Sequence, residues 1–363
     1  MKILILCNND LGLYKFRKEL LQEFRKRNHE VTIVLPDGPF VPRMKEMGCR
    51  CIELNFERRG KNPFADFLLF RNYERIIREN APDVVLTYTI KPNIYGGMAC
   101  GQLGVPFLAN VTGLGTALEN PGPLRLLLLF LYRRGLRKAA CVFFQNRENL
   151  DFALRHKLVR GKHVLLPGSG VNLMEYTPLP YPGGEKVKFL FIGRVMRDKG
   201  INELLAAAET LKREGLDFSL DVVGGMDEDY GGKLQAAEEQ GLIKYHGSQA
   251  NVAPFIAEAH CVVLPSYHEG MANVLLEAAA SARPVIATRV HGCLETYTEG
   301  ESGLGCEAAD AESLADAMRN FTRLSLEAKR EMGLAGRRKV ESEFDRQIVV
   351  SAYIAQIEDL TKK

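Results

Sequence analysis

Two glutamates stand eight positions apart in the stretch Pro265-Ser266-Tyr267-His268-Glu269-Gly270-Met271-Ala272-Asn273-Val274-Leu275-Leu276-Glu277-Ala278. The stretch follows an apolar run, turns through a glycine and opens a helix. Glu269 is therefore expected on the loop at a strand's carboxyl end. Glu277 is expected roughly two turns into the helix, on a cleft side if Val274 and Ala278 face the sheet. Over Gly270, Met271, Ala272 and Asn273 the helix start offers free N–H groups and a positive dipole end, which suits a diphosphate. A carboxylate at the distance of Glu277 is placed to accept hydrogen bonds from the two hydroxyls of a ribose. Two glutamates at this spacing are common, so the pair gains meaning only from its company.

That company is basic. Gly193-Arg194-Val195 closes an apolar run and Lys199-Gly200 opens the following helix, so Arg194 and Lys199 should project from the same sheet edge as Glu269. Two cations there neutralise a leaving diphosphate, arginine by forked donors and lysine as a point charge. Arg197 and Asp198 read better as solvated loop. Gly224-Gly225 ends the next strand, where a missing side chain lets a ligand approach.

Other chemistry fails on inspection. Asp227-Glu228-Asp229 sits in a polar turn without partner ligands and reads as solvated loop, so no metal site is expected. His246 and His268 flank the region, but a histidine at a strand end is more often structural. Gly113-Leu114-Gly115 lacks the third glycine and later acid of a dinucleotide fingerprint. The eight cysteines form no CxxC pair and several lie in apolar runs, as buried free thiols do.

The elements that must position these residues alternate between strand and helix. Strand-like runs fall at Lys2–Cys7, Val31–Leu35, Cys51–Phe56, Asp83–Thr89, Phe107–Val111, Cys141–Gln145 and Val164–Leu166, and Phe16, Leu20, Leu21 and Phe24 recur at helical spacing. Two prolines and two glycines in 179–184 break the rhythm. It restarts with Lys188–Gly193, a helix from about Ile201 to Glu214, Phe218–Val223, Lys244–His246, Cys261–Pro265 and Val285–Thr288, and from Asp310 the tail is helical. The expected architecture is α/β, with two Rossmann-like doubly wound domains facing a central cleft. The first spans 1–178, the second 185–344, and a helix of about 345–363 packs back on the first.

With 363 residues, 46% hydrophobic and 26% charged, the chain suits two globular domains, and a net charge of +3 gives no support to a nucleic-acid partner. Met1–Leu6 is too short for a signal core and no run reaches the length of a membrane span, so a cytoplasmic protein is expected. Pro123–Lys138 is dense in leucine and flanked by Arg125, Arg133, Arg134, Arg137 and Lys138. It reads either as a core helix with a basic edge or as an interfacial helix on an anionic membrane surface, with Arg58, Arg59 and Lys61 adding to the basic surface.

The set Arg194, Lys199, Glu269 and Glu277, in its strand–loop–helix contexts, resembles the retaining GT-B glycosyltransferases of family 4. The likeness spans nearly the whole chain. Asn62-Pro63-Phe64, Lys91-Pro92-Asn93 and Val111-Thr112-Gly113-Leu114-Gly115 are similar to the bacterial branch that extends lipid-diphosphate-linked sugars for surface glycans. The resemblance implies that Arg194 and Lys199 hold the diphosphate, Glu277 binds ribose, and Glu269 contacts the donor sugar. Gly12, in the loop after the first strand, would lie near phosphates or acceptor. It also implies a nucleotide sugar, UDP-linked, as donor substrate with no further cofactor, and same-face attack with the leaving phosphate taking the acceptor proton. Many relatives carry a histidine after a first-domain strand; here Asn110-Val111-Thr112-Gly113 stands there, so Asn110 or Thr112 takes over the sugar contact or the role is absent. Two rivals share the architecture: a UDP-N-acetylhexosamine 2-epimerase and a nucleotide-sugar-binding protein without turnover.

Overall fold

The computed structural model describes residues 1–57, 60, 62–114, 118, 122–184 and 186–361. The chain forms two compact units, Met1–Ser169 with Arg346–Lys363, and Gly170–Asp345.

The first unit is built on seven strands, β1 (Lys2–Leu6), β2 (Glu30–Leu35), β3 (Arg50–Glu53), β4 (Val84–Tyr88), β5 (Phe107–Val111), β6 (Cys141–Phe144) and β7 (His163–Leu165). They pair in parallel in the order β3-β2-β1-β4-β5-β6-β7. Ile3, Leu4, Ile5 and Leu6 are all buried because helices cover both faces, which is why the run is apolar without alternation. The helix Asp10–Lys26 lays Leu13, Leu20, Leu21 and Phe24 on the sheet.

The second unit has six parallel strands, β8 (Val187–Ile192), β9 (Phe218–Val223), β10 (Lys244–Tyr245), β11 (Cys261–Leu264), β12 (Val285–Thr288) and β13 (Gly303–Cys306), ordered β10-β9-β8-β11-β12-β13. The sequence pattern misses β13, Gly-Leu-Gly-Cys, because two glycines and no β-branched residue give no strand signal. Its pairing with β12 makes it a strand, and a side chain at Gly303 would strike Val285 and Tyr297. The strand expected over Cys51–Phe56 pairs only as far as Glu53.

The units divide at 169/170, earlier than the expected 178. Val171 N–H donates to the Phe344 carbonyl at 2.8 Å. The proline–glycine stretch is fastened by Arg283, a fully buried side chain that donates to the carbonyls of Leu179 (3.2 Å) and Pro180 (2.8 Å). These prolines and glycines end regular structure but leave carbonyls that a buried guanidinium satisfies. The terminal helix Arg346–Thr361 belongs to the first unit. Arg346 pairs with Glu19 at 2.9 Å, Tyr353 meets Phe143 with ring centroids 4.2 Å apart, and Val349, Ile354 and Ile357 join the core beside β1.

Candidate functional site

In the second sheet the strand order reverses between β8 and β11, and in open α/β sheets ligands bind beyond the carboxyl ends of strands at such a point. The segments leaving these two strands carry Gly193, Arg194 and Lys199 on one side and Glu269 to Asn273 on the other. Gly200 draws them together: its φ of 72° is left-handed, and a side chain there would strike the Pro265 carbonyl. Tyr267 N–H donates to the Asp198 carbonyl at 2.9 Å. The Lys199 ammonium consequently meets the Glu269 carboxylate in an ion pair with both side chains largely buried.

Arg194 is also paired. Val195 N–H donates to the Gly225 carbonyl (2.8 Å) and Asp227 N–H to the Val195 carbonyl (3.1 Å), which sets the half-exposed Asp227 carboxylate against the Arg194 guanidinium. Glu228 accepts from the Arg197 N–H at 2.9 Å. The acidic turn is solvent-exposed, as its sequence suggested, and its carboxylates also hold the β8 loop in place. Among the described residues no group of three metal-ligating side chains occurs.

The helix Asn273–Ala280 starts later than the sequence suggested, so Glu277 lies one turn into it rather than two. Leu275 and Ala278 enter the core and Val274 packs beside it. Glu277 is only 4% exposed, a position a carboxylate tolerates only when its oxygens are satisfied. Met271 and Ala272 are buried, and Gly270 and Asn273 are partly exposed.

Sequence reasoning missed the loop after β12. The Gly292 carbonyl accepts from Ala272 N–H at 2.8 Å, its φ is 82°, and a side chain on it would strike the Glu269 backbone. The signal was His291-Gly292-Cys293 directly after a strand. Burial, with the Glu269 charge adding to it, pushes the Cys293 thiol well up and keeps it neutral. Burial and a 2.7 Å hydrogen bond to Glu203 push the Tyr267 hydroxyl up to about 12. At Gly224, φ is 151° and a side chain would strike the Gly193 carbonyl, so two strand ends approach closely there. His246 pairs with Asp221 at 2.5 Å and packs on Phe255, a structural position.

The first sheet reverses between β1 and β4. Gly12 is not on the loop after β1 but in the first turn of the helix, its N–H taken by the Asn9 side chain at 2.6 Å. Asn110, next to last in β5, is 1% exposed, and neither its amide nitrogen nor its amide oxygen has a partner among the described residues. Asn8 Oδ1 and Thr89 Oγ1 are likewise buried and unpartnered, on the segments leaving the neighbouring strands β1 and β4, and Thr89 holds a left-handed φ of 73°. Asn93 ties this edge together, accepting from Thr87 at 2.7 Å and donating to the Asn110 carbonyl at 2.8 Å. Thr112 follows, partly exposed; Gly115, Arg58, Arg59 and Lys61 lie outside the described residues.

Residues 2–146 match the family described as Glycosyl transferase 4-like, and residues 186–323 match Glycosyl transferases group 1. The chain belongs to the family 4 glycosyltransferases. This glycosyltransferase is 24% identical over 372 residues to the N,N'-diacetylbacillosaminyl-diphospho-undecaprenol alpha-1,3-N-acetylgalactosaminyltransferase of Campylobacter jejuni, covering 98% of this chain and 97% of the relative. Among solved structures it superposes on a glycosyltransferase from Rickettsia africae with a TM-score of 0.84 at 20% identity, covering 100% of this chain and 99% of that one. It superposes on Anabaena HepE in complex with UDP-glucose with a TM-score of 0.80 at 17% identity, covering both chains fully. The glycosyltransferase thus has the GT-B fold of two parallel-sheet α/β domains.

Proposed function

We propose that the enzyme moves a hexose or N-acetylhexosamine from a UDP-sugar to a polyprenyl-diphosphate-linked sugar with retention of configuration. The observation that carries this reading is the Lys199–Glu269 pair at the reversal point of the second sheet, on the loop that leads into the helix of the buried Glu277. The donor diphosphate takes the Glu269 and Asp227 carboxylates' place against Lys199 and Arg194. Glu269 is then released toward the sugar hydroxyls, Glu277 receives the ribose, and the helix start at Gly270–Asn273 faces the phosphates. The bond from the anomeric carbon to the phosphate oxygen breaks while the acceptor oxygen attacks the same face, and the acceptor proton passes to the leaving phosphate. Cations fixed beforehand stabilise the charge that grows on that phosphate. In the first unit the unpartnered amide of Asn110, with Thr112, supplies sugar contacts in place of a histidine.

The Campylobacter relative supports a lipid-diphosphate acceptor and HepE supports a UDP-linked donor. None of the described helices is long and apolar enough to cross a membrane. The helix Pro123–Leu136 instead turns Leu126 (69% exposed), Leu127 and Phe130 outward, and Phe64, Phe67 and Leu68 are exposed on the helix Pro63–Asn80 of the same layer. This supports peripheral docking at the cytoplasmic membrane face.

The experiment is incubation with a panel of nucleotide sugars and lipid-linked acceptors, products read by mass spectrometry. The expected result is acceptor gaining one sugar with release of UDP. Conversion of the donor sugar with no acceptor present would overturn it in favour of an epimerase, and donor binding without either product would reduce the chain to a sensor.

A further inference from the structure

Along the outer face of the helix Pro123–Leu136 the exposed positions 126, 127, 130, 133, 134, 137 and 138 follow helical spacing. The stripe begins apolar and ends basic. Beside its basic end runs the helix Gly97–Leu103, and between the two lies a groove of about 420 Å³ whose wall includes Gly101, Phe130, Arg134, Arg137 and Lys138.

The groove is built by glycines. Gly97 abuts the Gly135 carbonyl, and Gly135 abuts the backbone of Asn93 and Ile94, so the helices meet backbone to backbone and the walls are fixed. A side chain at Gly101 would project against the stem of Lys138, which donates to the Gly101 carbonyl at 2.6 Å. The Arg134 guanidinium lies 5.3 Å from the centre of the Phe130 ring. Among the described residues no carboxylate lies within ion-pairing reach of Arg134 or Arg137. Arg133, in contrast, spends its guanidinium on the His156 carbonyl at 2.9 Å.

Position separates this groove from the reaction. Both helices run against the strands and end just before β5 and β6 begin, so the cations sit at the amino edge of the first sheet. Asn110 and Thr112 leave the opposite, carboxyl edge. A ligand at the groove is therefore not the reacting group.

We propose that the groove at Gly101, Arg134 and Arg137 binds the phosphate headgroup of an anionic phospholipid, with Leu126, Leu127 and Phe130 lying among its acyl chains. The cations match the phosphate, and the apolar end of the same stripe matches the chains. The proposal rests on the peripheral docking in the proposed function and makes it selective for lipid charge.

The test is co-sedimentation of the full chain with phosphatidylcholine vesicles with and without phosphatidylglycerol, at fixed salt. Wild type should bind the phosphatidylglycerol vesicles more tightly. Arg134→Gln and Arg137→Gln should each weaken that binding roughly fivefold, and Arg133→Gln, which removes the same charge outside the groove, far less. Gly101→Leu fills the groove without changing charge and should also erase the preference, while UDP affinity by calorimetry stays at the wild-type value in all four. Equal binding to both vesicle types overturns the groove and leaves docking standing, whereas binding to neither overturns both. An effect of Arg133→Gln as large as that of Arg137→Gln would mean a diffuse basic surface and also overturns the groove. Melting temperatures check that Gly101→Leu folds; should it not, the three glutamine variants carry the comparison.

Discussion

The two sheets share one strand order, the first with an added edge strand, but arm their reversal points with different chemistry. The edge of the second is ionic and already paired, Lys199 with Glu269 and Arg194 with Asp227. The edge of the first carries its ions to the side, Lys91 with Asp66 and Asp10 on the Phe40 N–H, and leaves uncharged groups unsatisfied, with Asn8, Thr89 and Asn110 presenting buried polar atoms that no described residue meets. A diphosphate is a fixed, charged target, so cations can be set in advance and kept neutral by carboxylates until it arrives. A sugar offers hydroxyls, which neutral amides match without paying to strip ions of water. In the proposed reaction the difference assigns the phosphates to the paired ions of the second edge and the sugar to the unsatisfied uncharged groups of the first.

The largest break in that comparison is Lys199→Ala. In the proposed reaction Lys199 faces charge that grows as the diphosphate leaves, so kcat should fall by roughly two to three orders of magnitude while the donor KM rises less. Steady-state kinetics with varied donor decides it. An equal rise in KM with kcat preserved would make Lys199 a ground-state binder.

Glu277→Ala should act on binding, because ribose hydroxyls do not change during transfer. A charged hydrogen bond is worth roughly 1.5 to 3 kcal/mol, so UDP affinity by calorimetry should weaken on the order of ten- to a hundredfold. Unchanged affinity would remove the ribose from this helix.

Why these residues were legible, and others not, follows from their signals. The strands are continuous apolar runs at regular intervals, and Arg194, Lys199, Glu269 and Glu277 stand at fixed distances from strand ends, so both could be read from local pattern. Gly292 and Asp227 could not. They matter because distant segments meet, Gly292 against Glu269 and Asp227 against Arg194, and no local pattern encodes that meeting. β13 was hidden for the same reason, being a strand by partnership alone. The starts of the helices at Asp10 and Asn273 shifted Gly12 and Glu277 by a few residues, enough to change which groups are available.

A smaller effect sharpens the contrast from the first sheet's edge. Asn110 keeps two buried polar atoms unsatisfied, a cost of about 1 to 3 kcal/mol that a ligand contact would justify. Asn110→Leu, with the same branched skeleton but apolar, should raise the first unit's melting temperature by a few degrees and raise the acceptor KM about tenfold. A variant that is more stable and equally active would show that Asn110 touches no sugar.

The last effect is a pH response centred on the second unit. His260 is buried at 2% exposure, its Nδ1 accepting from the Lys188 N–H at 3.1 Å. Burial first, then the charges of Lys329, Lys188 and Arg283, lower its pKa from 6.5 to about 4. Between those values the unfolded chain takes up a proton that the folded unit refuses. Stability is therefore full above pH 6.5, falls as the pH drops toward 4, and levels below it, by at most about 3 kcal/mol. In the first unit burial also depresses His29 and His156, but both are partly exposed, so that unit should respond less. Urea unfolding can separate the units, since UDP on the second should raise only that unit's transition. The UDP-sensitive transition should move to lower urea between pH 7 and pH 5, more than the other one. His260→Asn keeps an acceptor for the Lys188 N–H and removes the titrating group, so its transition should stay nearly flat over the same range. Parallel pH curves for wild type and variant would place the acid sensitivity elsewhere in the unit.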